Sequence, residues 1–159
     1  HLATDGVRGL AHEEETMQQI LALKRVDLFS NLSFEQLEAI LQASSNAEFL
    51  AGEVIFREGE PGNTLFLLVD GAVDIVKDHE GKRELTLKTI HAVDYFGEMA
   101  ILTDDPRSAT AIAAGHCRLI TLDGDAFREL LLQIPEISFE IFRVLTRRVR
   151  DAEQKFRER

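Results

Sequence analysis

Hydrophobic and polar positions along the chain change period twice. Over 13–26 the apolar residues recur at helical spacing, with Met17, Ile20, Leu21 and Leu23 on one stripe. The stretch Asp27-Leu-Phe-Ser-Asn breaks that period. Ser33 followed by Gln36 is a capping-box pattern, which predicts a second helix to about residue 43 with Phe34, Leu37, Ile40 and Leu41 facing inward. From 47 to 122 the pattern becomes short runs between turn residues, and strands are expected at 47–50, 53–57, 63–69, 72–78, 84–91, 108–114 and 117–122. Turn chemistry separates them at Ala51-Gly52, Gly59 to Gly62, Asp70-Gly71, Glu80-Gly81 and Gly115. The run Leu65-Phe-Leu-Leu-Val is too apolar for a strand with one wet face and is expected to cross the core, whereas Val73 and Ile75 alternate with polar neighbours. Helical spacing then returns. Asp123 or Asp125 caps a helix over 124–133 with Phe127, Leu130 and Leu131 on its apolar side. Pro135 suits the first turn of a last helix over 136–157, on which Ile137, Ile141, Val144, Leu145 and Val149 recur. Residues 1–12 lack periodicity and read as a flexible leader.

Many short strands at regular spacing imply a closed or double-layered β architecture, here a jelly-roll-like barrel over 47–122. A chain of 159 residues with 45% hydrophobic content suits one domain with its own core, placed at 13–159 with N-terminal helices over 13–43. The formal net charge of −10 disfavours DNA binding by the whole surface. The balance is locally reversed from Arg143 to Arg159, where seven basic residues face three acidic ones; a solvated helix face is the plain account and a nucleic-acid arm the other. Cys117, the sole cysteine, excludes an intrachain disulfide and reads as a small buried hydrophobe in a reducing, cytoplasmic setting. No apolar run reaches the length of a membrane span, and the polar start shows no signal-peptide pattern. Because the sequence opens on His1, it is expected to be a piece of a longer protein whose effector domain lies elsewhere.

The densest chemistry is F-G-E-M-A-I-L-T-D-D-P-R-S-A-T over 96–110. Gly97 lets the backbone approach a ligand closely, and residues 98–102 can form one helical turn whose free N–H groups attract an anion. Pro106 stops that turn, and Arg107 supplies a permanently charged fork suited to a phosphate. Glu98 would repel a phosphate and is better used accepting a hydrogen bond from a sugar hydroxyl. Together these residues read as a ribose-phosphate clamp. A surface ion pair is the plain alternative for Glu98 and Arg107; for Ser108 phosphate contact is the favoured reading, and satisfaction of its own backbone at a strand start the alternative.

This segment, with G-E-V-I-F-R-E-G-E-P-G-N-T-L-F-L-L-V-D-G-A-V before it, resembles the cyclic nucleotide-binding domain family, which includes protein kinase A regulatory subunits, cyclic-nucleotide-gated channels and the bacterial catabolite activator protein. The match runs from about Leu28 to about Arg150. It implies an α+β fold: an eight-stranded jelly-roll-like β-barrel with N-terminal helices and two C-terminal helices. It makes 96–110 the phosphate-binding cassette, with Phe96, Gly97, Glu98, Met99, Ala100, Arg107, Ser108 and Ala109 as ligand-binding residues. Glu98 would then hold the ribose 2′-hydroxyl and Arg107 the cyclic phosphate. In family members the last helix closes over the base, and Arg148 lies near the position of a base-capping arginine; otherwise it is one more exposed charge. Serine after the phosphate arginine accompanies a cAMP preference in the family, so Ser108 favours cAMP over cGMP.

The resemblance implies a non-catalytic regulatory sensor with no cofactor, relaying cyclic-nucleotide binding through movement of its C-terminal helix. It binds no nucleic acid directly, and the C-terminal helix offers a route to a homodimer. Three other readings compete. A cGMP-selective sensor is the nearest. A cupin-like metalloenzyme would match the turn–strand–turn rhythm of 59–71, but Phe66, Leu67, Leu68 and Val69 stand where metal ligands are needed. A degenerate barrel used only for protein contacts would ordinarily have lost Glu98 or Arg107. The five histidines have no metal-ligand spacing, Asp104 and Asp105 read as a turn before Pro106, and no Ser–His–Asp or Cys–His pairing is suggested, so no enzyme is expected.

Overall fold

The structure, a computed structural model, describes the backbone of residues 2–98, 101 and 103–157, and the side chains among them from residue 13 onward. Helix α1 spans Leu2–Arg25 and α2 spans Phe34–Gln42, with a 3-10 turn Asp27–Phe29 between them. Eight strands follow: β1 Ser45–Phe49, β2 Val54–Phe56, β3 Thr64–Asp70, β4 Ala72–Lys77, β5 Leu85–His91, β6 Asp94–Phe96, β7 Thr110–Ala113 and β8 Cys117–Asp123. Helices α3 Gly124–Gln133 and α4 Pro135–Arg157 complete the described order.

The strands form two antiparallel four-stranded sheets, β1-β8-β3-β6 and β2-β7-β4-β5. They share a core but no ladder between them, so the expected barrel is an open two-sheet roll. Strand β3 explains the arrangement. Phe66 and Leu68 point between the sheets with Leu119, Val73, Ala111 and Ile90. Leu65 and Leu67 point the other way, into a second core with Ile120, Leu122 and the helices. A strand covered on both faces has no solvent side, which is why 65–69 is continuously apolar.

The Ser33–Gln36 capping box forms as expected: Ser33 Oγ accepts from the Gln36 amide at 3.2 Å, and Gln36 Oε1 accepts from the Ser33 amide at 2.9 Å. Asp123 caps α3 through the amides of Asp125 and Ala126. The helical stripes are only partly used. Leu37, Ile40, Ile20 and Leu23 are buried, but Phe34, Met17 and Leu21 remain exposed, because α1 and α2 each meet the core along one edge of a wider apolar face.

Several expected boundaries move. The supposed leader over 1–12 continues α1 as helix from Leu2, since extending an existing helix adds one hydrogen bond for each residue fixed. The eighth strand, β6, lies in a stretch left unassigned by pattern; three residues are too short to show an alternation. Strand β7 starts at Thr110, which leaves Ser108 outside the ladder and exposed.

Candidate functional site

Arg107 is the organising residue. Its backbone is bonded to the preceding glycine-rich loop on both sides, with the Gly59 amide donating to the Arg107 carbonyl at 2.8 Å and the Arg107 amide donating to Glu60 at 2.9 Å. The side chain, only 6% exposed, then runs inward between β3 and β6. Nη1 donates to the Gly97 carbonyl and Nη2 to the Thr64 carbonyl, each at 3.0 Å. The guanidinium lies 4.2 Å from the Phe56 ring centroid, a cation–π contact that compensates part of its lost hydration. Burial pushes its pKa below the ordinary arginine value, opposed by Glu60 and Glu98, and a guanidinium stays charged throughout. Its Nε is buried without a hydrogen-bond partner. An unpaired buried donor on a cation is costly and marks a place for an acceptor.

Two glycines make room for this group. At Gly62 an added Cβ would lie 2.0 Å from the Arg107 Nε, and at Gly97, where φ is +81°, it would lie 2.8 Å from Nη1. Both positions therefore need a residue without a side chain, and Gly97 also needs one tolerant of the left-handed region.

Above the guanidinium opens a cavity of about 270 Å³, near the lower end of the ~300–1,000 Å³ range of small-ligand pockets. Phe96, Gly97, Glu98, Arg107, Ser108 and Ala109 line one wall, so six of the nine residues named from the sequence meet at one place. Met99 and Ala100 lie outside the described residues. The opposite wall is Phe56, Ile75, Leu87 and Lys88, which sequence reasoning missed. The available signal was Leu87 itself, an apolar side chain left exposed on strand β5.

Arg148 does not line this cavity. Its Nε donates to Asp27 Oδ2 at 3.0 Å, Nη1 donates to the Tyr95 hydroxyl, and the guanidinium sits 4.8 Å from the Tyr95 ring centroid. Burial raises the Tyr95 pKa, with Arg148 opposing, so the phenol is neutral and accepts from Arg148 at ordinary pH. The base-capping position expected for Arg148 is therefore not the one it occupies here.

The turn after Gly97 begins with the Ile101 amide donating to the Glu98 carbonyl at 3.1 Å. Arg128 of α3 reaches it, with Nη2 on the Ile101 carbonyl and on Asp104 at 3.0 Å each, so α3 and the turn are mechanically joined. Glu98 also borders an apolar gap of about 30 Å³ among Leu28, Tyr95, Ile101, Phe127, Ile141 and Leu145. Among the described residues no cluster of three or more His, Cys, Asp or Glu could hold a metal, and no helix is long and apolar enough to cross a membrane. The histidines His79 and His116 instead pair with Glu84 and Glu48.

The site thus sets a buried arginine and a carboxylate beside one cavity of a two-sheet roll. The family model for the cyclic nucleotide-binding domain matches residues 47–133, and this chain belongs to that family. A CRP-like cAMP-activated global transcriptional regulator of Mycobacterium tuberculosis is 34% identical over 134 residues, 84% of this chain and 59% of that protein. A cAMP-dependent protein kinase regulatory subunit of Dictyostelium discoideum is 32% identical over 122 residues, 74% of this chain and 35% of that protein. The regulatory domain of Toxoplasma gondii PKA, solved with cAMP, superposes with a TM-score of 0.68 at 29% identity, covering 74% of this chain and 45% of that one. The chain thus spans between about a third and three-fifths of the length of these curated relatives. These family members are regulatory, which supports reading the domain as a non-enzyme.

The crowding at Gly62 yields a direct test. Gly62→Ala is expected to keep the circular dichroism of the fold while displacing Arg107, lowering cyclic-nucleotide affinity at least tenfold by calorimetry. Unchanged affinity would mean that the observed guanidinium position is irrelevant to binding.

Proposed function

We propose that the domain binds cAMP in the cavity over Arg107 and passes the binding event to its C-terminal helix. The buried Arg107 carries the reading: it lines a cavity also bordered by a carboxylate, and only two of its N–H donors are spent on backbone carbonyls. A singly charged cyclic phosphate supplies the acceptor, and Glu98 is placed to accept from a ribose hydroxyl in the same cavity. The apolar wall of Phe56, Ile75 and Leu87 offers a surface for a flat base. Ser108, exposed at the cavity rim, is available to the phosphate, and the resemblance attaches a cAMP preference to serine there. Relatives named for cAMP support the same choice. Lys88 at the rim is the one observation favouring cGMP, because a cationic donor suits the paired acceptors O6 and N7 of guanine.

Output is proposed to run through α4, which begins at Pro135 and packs Ile137 and Ile141 into the helical core beside the cassette turn. The effector that receives the signal would lie outside this sequence. Helix α4 also carries an outward seam: Phe139, Phe142, Thr146, Val149, Glu153 and Phe156 succeed one another at spacings of three and four, and the four apolar members are exposed. A second copy of the chain is the proposed occupant. Arg143, Arg150 and Arg157 flank the seam on one side only, so antiparallel pairing would oppose like charges and parallel pairing would not.

Arg107→Lys keeps the charge but loses the fork, and should weaken cAMP binding by roughly ten- to a hundredfold, about 1.5–3 kcal/mol, in titration calorimetry. Equal affinities for variant and wild type would remove the phosphate assignment. Wild type should discriminate against 2′-deoxy-cAMP and Glu98→Ala should not; discrimination that survives in the variant places Glu98 elsewhere. In amide exchange, cAMP is expected to increase protection over 96–110 and 137–150 with little change in β1 and β2, and an unaltered α4 would redirect the output to the N-terminal helices. Sedimentation should show a dimer that Phe142→Glu dissociates without loss of helicity; a wild type monomeric at every concentration removes the seam.

A further inference from the structure

Glu98 and Arg107 border one cavity, and a continuous path of contacts connects them through α3. On one side, Arg107 Nη2 donates to the Thr64 carbonyl at 3.0 Å. Thr64 pairs with Asp123 across β3 and β8, and the Gly124 amide that opens α3 donates to the Asn63 carbonyl at 2.6 Å. The approach is close, because a Cβ added at Gly124 would run into the Asn63 side chain. One turn further along α3, Arg128 Nη2 donates to the Ile101 carbonyl at 3.0 Å, and the Ile101 amide donates to the Glu98 carbonyl at 3.1 Å. Phe127 and Ile101 line the same apolar gap, so α3 meets this residue with a ring in the core and a guanidinium at its carbonyl.

The Arg128 contacts differ in weight. Its ion pair with Asp104 joins side chains 42% and 83% exposed, where water screens most of the attraction. Its bond to Ile101 is charge-assisted and partly buried, and is the stronger of the two. Asp125, three positions earlier on α3, accepts from Nη1 at 3.1 Å and steadies the fork. A single helical turn has few hydrogen bonds of its own, so an outside donor on one of its carbonyls has a large share in its stability. We propose that Arg128 is a positioning residue for the cavity: by clasping Ile101 it sets where Glu98 stands relative to Arg107, and so fits the spacing of carboxylate and guanidinium to one ribose hydroxyl and one cyclic phosphate. The assignment rests on the cyclic-nucleotide reading above, whereas the clasp itself is tested without any nucleotide. Arg107 has anchors of its own at Thr64 and Phe56, so loss of Arg128 displaces the carboxylate and spares the guanidinium.

The test uses Arg128→Ala, Arg128→Lys and the double variant Glu98→Ala/Arg128→Ala in the whole 159-residue chain. Without nucleotide, Arg128→Ala should speed amide exchange at Ile101 and leave Phe66 and Leu68 of β3 unchanged. Ile101 exchange identical to wild type, or acceleration that extends equally to β3, overturns the clasp, whatever the protein binds. In titration calorimetry, Arg128→Ala should weaken cAMP binding about three- to tenfold and 2′-deoxy-cAMP binding less than about twofold, because only the contact with the ribose hydroxyl is misplaced. Arg128→Lys, which keeps one charged donor for the Ile101 carbonyl, should recover part of the lost discrimination. In the Glu98→Ala background, Arg128→Ala should bring no further loss. Equal losses for both nucleotides, or a further loss without Glu98, refute positioning through Glu98. Failure of wild type to bind either cAMP or cGMP would instead count against the function proposed above, and the Ile101 exchange result would still decide the clasp.

Discussion

A guanidinium taken out of water is the constraint on which the arrangement of this domain turns. Arg107 is almost wholly buried, and an unpaired charge there would cost several kcal/mol. The fold meets that cost with two backbone carbonyls, an aromatic ring and two nearby carboxylates, while Nε stays buried without a partner. Each partner comes from a different element: Thr64 begins β3, Gly97 follows β6, and Phe56 ends β2. The arginine thus serves as a cross-brace between the two sheets at the mouth where they separate. A ligand accepting from it would engage a group that already touches both layers.

The same economy explains the neighbouring glycines. Gly62 and Gly97 stand where any side chain would enter the volume of the Arg107 fork. Their positions are set by one contact rather than by turn preference alone. In a chain of net charge −10 this concentration of positive potential matters, because the net charge disfavours an approaching anion. Residual exposure of the cavity also matters: Ser108 and Leu87 lie at the surface, so a small ligand has an entry path without any sheet opening.

The proposed movement falls to the helical side. The inter-sheet core interlocks Phe66, Phe96 and Phe56 at centroid distances of 5.2 to 6.0 Å. The helical core contains the small apolar gap beside Glu98, and polar ties link its helices to the cassette and the strand before it, among them Arg128 to Ile101 and Asp104, and Arg148 to Tyr95.

Local chemistry made much of this readable in advance. The capping box at Ser33, the cap at Asp123, the doubly buried strand at 65–69 and the cluster of Gly97, Glu98, Arg107 and Ser108 each follow from side-chain type and spacing within a few residues. Short-range physics also misled. The aperiodic start became helix because cooperativity outweighs pattern, and β6 escaped because three residues carry no period. What lay beyond the sequence were the contacts across distance. Nothing local tells that Phe56, Ile75 and Leu87 face the cassette, since strand pairing and sheet stacking place them there. Nor does spacing reveal that Arg148 meets Asp27, 121 positions away, because a charged side chain on an amphipathic helix has many possible partners until the fold selects one. The residues thus determined which chemistry the domain carries, and the tertiary structure decided where that chemistry converges and which charges are already occupied.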